Sequence, residues 1–318
     1  VRAEQLDSVS QIGASCGAGR DCGACKPGLA YLISEIRAGR HREERHARFI
    51  NDRVHANIQN DGTFSVVPRM RGGVTSADEL RRIADVVEKY EIPMVKVTGG
   101  QRIDLLGVRK EQLPAIWEDL EMPSGHAYAK AVRTVKTCVG TDFCRFGLGN
   151  SIKLGIELEE AMEGLYTPHK VKSAVTGCPR NCAEAYVKDI GMVAVEGGWE
   201  VYVGGAAGST VRKGDLLTVV TSPRAAKRVA LIFLQYYREN AEYLERTYGF
   251  VERVGIAQVR EAVLGDAQAE LLERYRIAKA AADPDPWRER HDPVTPKQFA
   301  ELDTEAMLVG PPASGGAR

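Results

Sequence analysis

Four cysteines stand in two short stretches that could do chemistry together: TCVGTDFC, from Thr137 to Cys144, and TGCPRNC, from Thr176 to Cys182. Cys138 and Cys144 are spaced C-x5-C, Cys178 and Cys182 C-x3-C, and each pair flanks a Gly- or Pro-bearing turn. Two loops presenting four thiolates are what an iron–sulfur cluster needs, because its soft irons match sulfur donors. Structural zinc usually takes tighter C-x2–4-C knuckles in both pairs. Spacing alone leaves three readings open: a cluster, a zinc ion, or unligated thiols packed in a core.

Basic residues accompany both pairs. Lys170 and Lys172, two apart in HKVKSAV, leave the same face of a strand that runs into Cys178. Arg133 comes five residues before Cys138, and Arg69 sits in PRMRGG at a strand end. Taken singly, each reads as a solvated surface cation. Beside a four-thiol site, they describe a cationic cavity for a small anion or a polycarboxylate cofactor.

The elements that must position these residues follow from pattern and punctuation. VHANIQ alternates, NDG turns, and TFSVVPRM reads as a strand. Ser76 can N-cap a helix whose Leu80, Ile83, Val86, Val87 and Tyr90 share a face. MVKVT and QRIDLLGV are strands around a GG turn, and KEQLPAIWEDL is a helix. That order predicts a compact α+β unit with its helices on one side of the sheet. Farther on, ELEEAMEGL is helical, HKVKSAV a strand, DIGMVAV and WEVYVGG a hairpin, and AAKRVALIFLQYYRENAEYLER a long helix.

Composition narrows the function classes. Among 318 residues, Lys+Arg and Asp+Glu both number 43, so net charge argues for neither nucleic acid nor an anionic membrane as partner. No apolar run approaches the ~20 residues of a membrane span. VRAEQLDSVS has neither the basic nor the apolar region of a signal peptide, and it lacks Met, so a longer parent chain is expected. Seven cysteines, an odd count, fit a thiol-using cytoplasmic protein better than a disulfide framework. No G-x-G-x-x-G dinucleotide fingerprint opens a βαβ unit.

TCVGTDFCRFG, HKVKSAVTGCPRNC, GTFSVVPRMRGG and VKVTGGQRIDLLG together resemble the nitrite and sulfite reductases that couple siroheme to a 4Fe-4S cluster. The nearest branch is the large subunit of assimilatory NAD(P)H-dependent nitrite reductase, of which the chain resembles a C-terminal part. The resemblance implies an α+β fold: a ferredoxin-like half domain at 41–125, then a siroheme and 4Fe-4S domain with C-terminal helices at 126–282. Before them, residues 1–40 would be a short helical, Cys-containing remnant of a bacterioferritin-associated-ferredoxin-like 2Fe-2S domain. Residues 283–318 would be a poorly ordered, Pro/Gly-rich tail.

It further implies that Cys138, Cys144, Cys178 and Cys182 ligate the cluster, with Cys182 also reaching the siroheme iron. Arg69, Arg133, Lys170 and Lys172 would surround the anion as catalytic groups. Arg71, Gln101, Arg102 and Asn181 would lie against the cofactor. Cys22 and Cys25 would be half of a 2Fe-2S site whose other ligands lie upstream; free thiols are the alternative. The implied reaction is six-electron reduction of nitrite to ammonia in nitrite assimilation. FAD and NAD(P)H would bind on an upstream module, and a small reductase subunit would be a partner. Many relatives carry Asn-Arg-Gln where this chain has Gly99-Gly100-Gln101, one basic group fewer, which favours nitrite over the alternative, sulfite reduction. A non-catalytic zinc or iron–sulfur protein is the rival from another class. Two-repeat relatives divide the cysteines and basic residues between halves, whereas one copy holds both here, so a homodimer is expected.

Overall fold

The computed structural model describes residues 1–18, 29, 32–33, 36–37, 41–42, 55–128, 130–242 and 244–282. Cys22, Cys25 and residues 283–318 lie outside the described residues. The first helix, α1 (Val9–Cys16), starts where the Ser8 hydroxyl accepts the Gln11 N–H and stops at Gly17, whose φ of 77° suits a residue without Cβ. It falls within the short helical, Cys-containing segment expected over residues 1–40.

The first sheet comprises β1 (Asn57–Ile58), β2 (Phe64–Val66), β3 (Met94–Thr98) and β4 (Arg102–Val108), in the order β1-β2-β4-β3. All its pairings are antiparallel. Helix α2 (Ala77–Lys89) opens with a full capping box between Ser76 and Glu79, and α3 (Leu113–Leu120) follows β4. Both helices lie on one face of the sheet, as predicted: Ile83, Val86, Ile116, Trp117 and Leu120 form one core with Phe64, Val66, Leu105 and Val108. Leu80 is an exception to the predicted apolar face, being 45% exposed in the first turn. At the sheet edge, Val97 pairs with Ile103 and so shares the helix-covered face, yet it is 78% exposed because the helices leave this strand uncovered.

The second sheet is built from β5 (Val132–Thr137), β6 (Val171–Thr176), β7 (Ile190–Val195), β8 (Gly198–Val203) and β11 (Asp215–Val220). A short ladder of β9 (Ala206–Ala207) and β10 (Val211–Arg212) lies between the last two. Its order is β11-β8-β7-β6-β5; the β5–β6 and β6–β7 pairs are parallel and the rest antiparallel. Between β5 and β6 run a single turn, α4 (Gly140–Phe143), and α5 (Ser151–Met162). After β11 come α6 (Pro223–Asn240), α7 (Thr247–Val254), α8 (Ile256–Leu264) and α9 (Gln268–Ala282).

The two faces of this sheet differ. One carries Val132, Val135, Val171, Val175, Ile190, Met192 and Val201 into a large core with α5 and α6. The other bears Ala174, Val193 and Tyr202, with Ala183 and Ala185 over them and Cys138 alongside. Strand β5 holds one extra residue against β6: Val132 faces Val171 but Val135 faces Ser173. This bulge keeps both valines inward, and it broke the alternation by which AVRTVKT could have been read as a strand.

One buried carboxylate joins the two units. Glu159 of α5 is fully buried and accepts Arg69 Nη1 (2.7 Å), the Gly72 N–H (3.0 Å) and the Val135 N–H (2.9 Å). Those donors come from the loop after β2 and from β5, so α5 ties the first sheet's loop to the second sheet's edge. Thr137 adds a hydroxyl bond to the Gly72 carbonyl (2.6 Å). Among the described residues no helix is long and apolar enough to cross a membrane. Glu159→Ala should destabilise the protein by about 3–5 kcal/mol, because buried Arg69 loses its close carboxylate and keeps only Glu163 at 3.8 Å. A urea titration should show a lowered midpoint at unchanged slope, and the paired change Arg69→Met with Glu159→Leu should recover part of the loss.

Candidate functional site

Because β5 and β6 are parallel neighbours with Thr137 opposite Val175, the two thiol loops leave adjacent strands at the same, carboxyl end. Open parallel sheets hold their ligands at that end. The loops are laced together by backbone bonds: Leu148 and Gly149 donate to the Gly177 carbonyl (2.7 and 3.1 Å), and the Gly177 N–H donates to Cys138 Sγ (3.1 Å). A Cβ at Gly177 would meet Gly140 Cα and Gly149 O at 2.9 Å, so only glycine permits this approach. Burial would raise the Cys138 thiol pKa, but Ser151 Oγ, the Gly177 and Gly140 N–H groups and Thr176 outweigh it and hold the pKa below its ordinary value. Bonds that favour a thiolate suit a metal-bound sulfur.

The four thiols grade from buried Cys178, through half-buried Cys138 and Cys144, to exposed Cys182. Asn181, left-handed at φ 58°, turns the chain between Cys178 and Cys182, its side-chain oxygen accepting the Tyr186 N–H (3.4 Å). Glu184 braces this turn to β5 by accepting Lys136 Nζ (3.0 Å) and Lys188 Nζ (2.8 Å). Hydrogen bonds to these two lysines hold the Glu184 carboxyl at about 2. Among the described residues, no three His, Cys, Asp or Glu side chains converge as around one metal ion.

Toward the amino ends of the same two strands lies a group of cations with too few anions. Burial first, then the charge of Arg102, pushes Arg133 down to about 9. Since a guanidinium stays protonated at such values, the shift measures uncompensated charge. Arg133 Nε and Arg102 Nε and Nη1 are buried without a hydrogen-bond partner. Lys170 and Lys172 are both lowered, by burial and then by neighbouring cations: Arg246 and Arg133 act on Lys170, while Lys170, Arg133 and Arg246 act on Lys172. Buried unpaired donors of one sign form a site that an anion completes. The donor set therefore fits a group bearing carboxylates next to sulfur-ligated metal.

Other expected site residues lie differently. Arg69 is buried with its guanidinium occupied by Glu159, the Ser124 carbonyl (2.9 Å) and His126 Nδ1 (2.6 Å). Arg71 makes a two-pronged pair with Glu163, both contacts 3.0 Å. Gln101 directs both ends of its amide at the Thr137 backbone, donating to the carbonyl (2.8 Å) and accepting the N–H (2.9 Å). Gln101 and the Arg69–Glu159 pair hold the end of β5 before Cys138 in place and Arg71 is taken up by Glu163, whereas Arg133, Arg102, Lys170 and Lys172 form the uncompensated set.

The sequence reading missed Asp189 and Arg246. Asp189, 1% exposed at its side chain, accepts the Lys172 N–H (2.8 Å), Arg246 Nη2 (3.0 and 3.1 Å) and the Thr247 hydroxyl. The buried Asp leading into DIGMVAV was a weak signal. Arg246 lies in no motif, and only folding brings it to β6.

Comparison with known proteins follows this geometry. The family description "Nitrite and sulphite reductase 4Fe-4S domain" matches residues 128–271, and "Nitrite/Sulfite reductase ferredoxin-like half domain" matches residues 57–123. The chain is 53% identical to an NAD(P)H nitrite reductase of Bacillus subtilis over 88% of its own length, spanning 35% of that relative. It is 40% identical to an assimilatory-type sulfite reductase of Nitratidesulfovibrio vulgaris, covering 66% of this chain and 97% of the other. The fold is similar to that of the Mycobacterium tuberculosis NirA protein, with a TM-score of 0.57 at 19% identity over 66% of this chain and 40% of that one.

His169 provides a pH test of the cation cluster. Its Nδ1 accepts the Lys170 N–H (2.7 Å), and burial, then Arg246, Lys170, Lys130 and Arg133, hold its pKa at about 4. An unfolded histidine titrates near 6.5, so the unfolded chain binds more protons between those values and stability rises with pH across that window. Chemical denaturation at pH 4.5, 5.5 and 7 should show this slope, and His169→Gln should flatten it.

Proposed function

The chain belongs to the nitrite and sulphite reductase family, and on that premise we propose that it reduces nitrite to ammonia at a siroheme coupled to a 4Fe-4S cluster. The observation that carries this reading is that two thiol loops at the carboxyl ends of adjacent parallel strands share β5 and β6 with Arg133 and Lys172, while Arg133 Nε and Arg102 Nε and Nη1 are buried without a partner. Cys138, Cys144, Cys178 and Cys182 would hold the cluster, and Cys182, the most exposed, would also reach the siroheme iron. That coupled centre supplies electrons, six for each nitrite.

The protein's own groups handle charge and protons. Arg133 offsets the substrate's negative charge from a position where little else compensates its own. Lys170 and Lys172, with acidity raised by burial and by neighbouring cations, donate protons to the oxygens that leave as water. Arg102 and Asn181 lie toward the cofactor, while Arg69 and Gln101 position the end of β5 that leads into Cys138 and Arg71 is taken up by Glu163. Glycine at Gly99 and Gly100 supports nitrite as substrate. Sulfite is the second reading, supported by the near-complete coverage of an assimilatory-type sulfite reductase.

The chain spans about a third of the length of the nitrite reductase it matches, so the parent protein carries more. Upstream FAD and NAD(P)H sites, a small reductase subunit and a cytoplasmic location complete the proposal. A second copy is also part of it, supported by the uncovered apolar edge at β3.

Visible absorption and iron analysis of the purified protein, with turnover on nitrite and sulfite under a chemical reductant, test the reading. A siroheme spectrum and faster ammonia production than sulfide production are expected; a colourless protein would sink it. Lys170→Met should keep the spectrum and lose about 10²-fold or more in turnover.

A further inference from the structure

Arg133 of β5, Lys172 of β6 and Lys170 just before it act on one another electrostatically, and a fourth cation among them comes from a distant part of the chain. Arg246 precedes α7 and is 22% exposed at its side chain. Asp189, which leads into β7, grips one end of its guanidinium: Nη2 lies 3.1 and 3.0 Å from the two carboxylate oxygens. The same Asp189 accepts the Lys172 N–H, so the carboxylate fixes Arg246 beside the backbone of the catalytic lysine pair. Next to it on the same edge of the guanidinium, Arg246 Nε is buried and has no hydrogen-bond partner.

The charged groups that feel Arg246 there are Lys170, Lys172, Arg133 and His169, with Asp189 as the acid acting on both lysines. Asp189 already takes donors from Lys172, Arg246 and Thr247. A pair serving only to anchor α7 on the sheet would leave no reason for a buried N–H among cations. An unsatisfied buried donor is costly, the more so when charged, and an acceptor there would relieve it. Arg133 Nε, on the neighbouring strand, is in the same condition.

We propose that Arg246 is a further anion-contacting residue of this site, its Nε–H donating to an oxyanion held against Lys170, Lys172 and Arg133. The inference rests on the reading of the site given above and adds to it a residue from the C-terminal helices. The shared ligand chemistry is a carboxylate-sized oxyanion, supplied either by the substrate or by a carboxylate of the bound tetrapyrrole. Asp189 is a positioning residue: both its oxygens hold Nη2, which orients the guanidinium and leaves the neighbouring Nε–H to the ligand.

The test uses the purified holoprotein and two variants. Arg246→Gln removes the charge; Arg246→Lys keeps a cation beside Asp189 but loses the planar donor edge. Siroheme absorbance per chain reads the cofactor arm. In fully loaded protein, the nitrite Kd from titration of the visible spectrum reads the substrate arm, and thermal melting checks the fold. Arg246→Gln should lose siroheme at least tenfold faster on dialysis, or weaken nitrite about tenfold in loaded protein. Arg246→Lys should show at least a threefold effect in the same arm, which keeps the inference open to refutation if the Gln variant does not fold. Wild-type siroheme retention and wild-type nitrite affinity in a folded variant overturn it. A wild-type protein that shows neither siroheme absorbance nor a nitrite-induced spectral change refutes the underlying reading instead, and this inference with it.

Discussion

The rest of the structure depends on the buried carboxylate of Glu159. Three donors from two separate segments converge on it, and none has another acceptor among its described bonds. A buried ion pair adds little net stability over apolar packing of the same shape, but it is intolerant of rearrangement, because each displaced donor would be left dry. That intolerance fixes the loop carrying Arg69 and Gly72 against β5. From Gly72 the constraint passes to the Thr137 hydroxyl, and from Gln101 to both polar groups of the Thr137 backbone. The next residue is Cys138. A carboxylate on a helix thus determines where a thiol sits at the end of a strand.

The same chain uses its arginines in two ways, and the contrast separates support from chemistry. Arg69 and Arg71 are matched by Glu159 and Glu163, so their charge is consumed within the fold. Arg102 and Arg133 are desolvated with no comparable partner, and their guanidinium pKa values fall accordingly. Arginine types and spacing do not distinguish these cases; the position of glutamates 90 or more residues away does. This is why a sequence that announces PRMRGG as a cationic motif does not reveal that its first arginine is already occupied.

Much of the fold was legible because its punctuation is local. Ser76 with Glu79 marks a helix start, NDG and GG mark turns, and the alternation in DIGMVAV and WEVYVGG gives a hairpin. β5 escaped because its bulge breaks the period by one residue, and β11 because its pairing partner is needed to recognise it. The thiol pairs and Lys170 with Lys172 were legible since each pair is a spacing on one loop or strand. Asp189 and Arg246 were not: 57 residues separate them, and nothing near either names the other.

Asp189 binds Arg246 and is the acid acting on both Lys170 and Lys172, so the cations around it outnumber the charge that offsets them. The fold therefore carries its own electrostatic repulsion as a standing handicap. An anionic occupant relieves it by mass action, through binding the folded form alone. The abundance of intact protein then becomes coupled to supply of that occupant. Chains made in excess of that occupant would unfold more often and fall to proteolysis, so the same cations would also set the lifetime of the polypeptide.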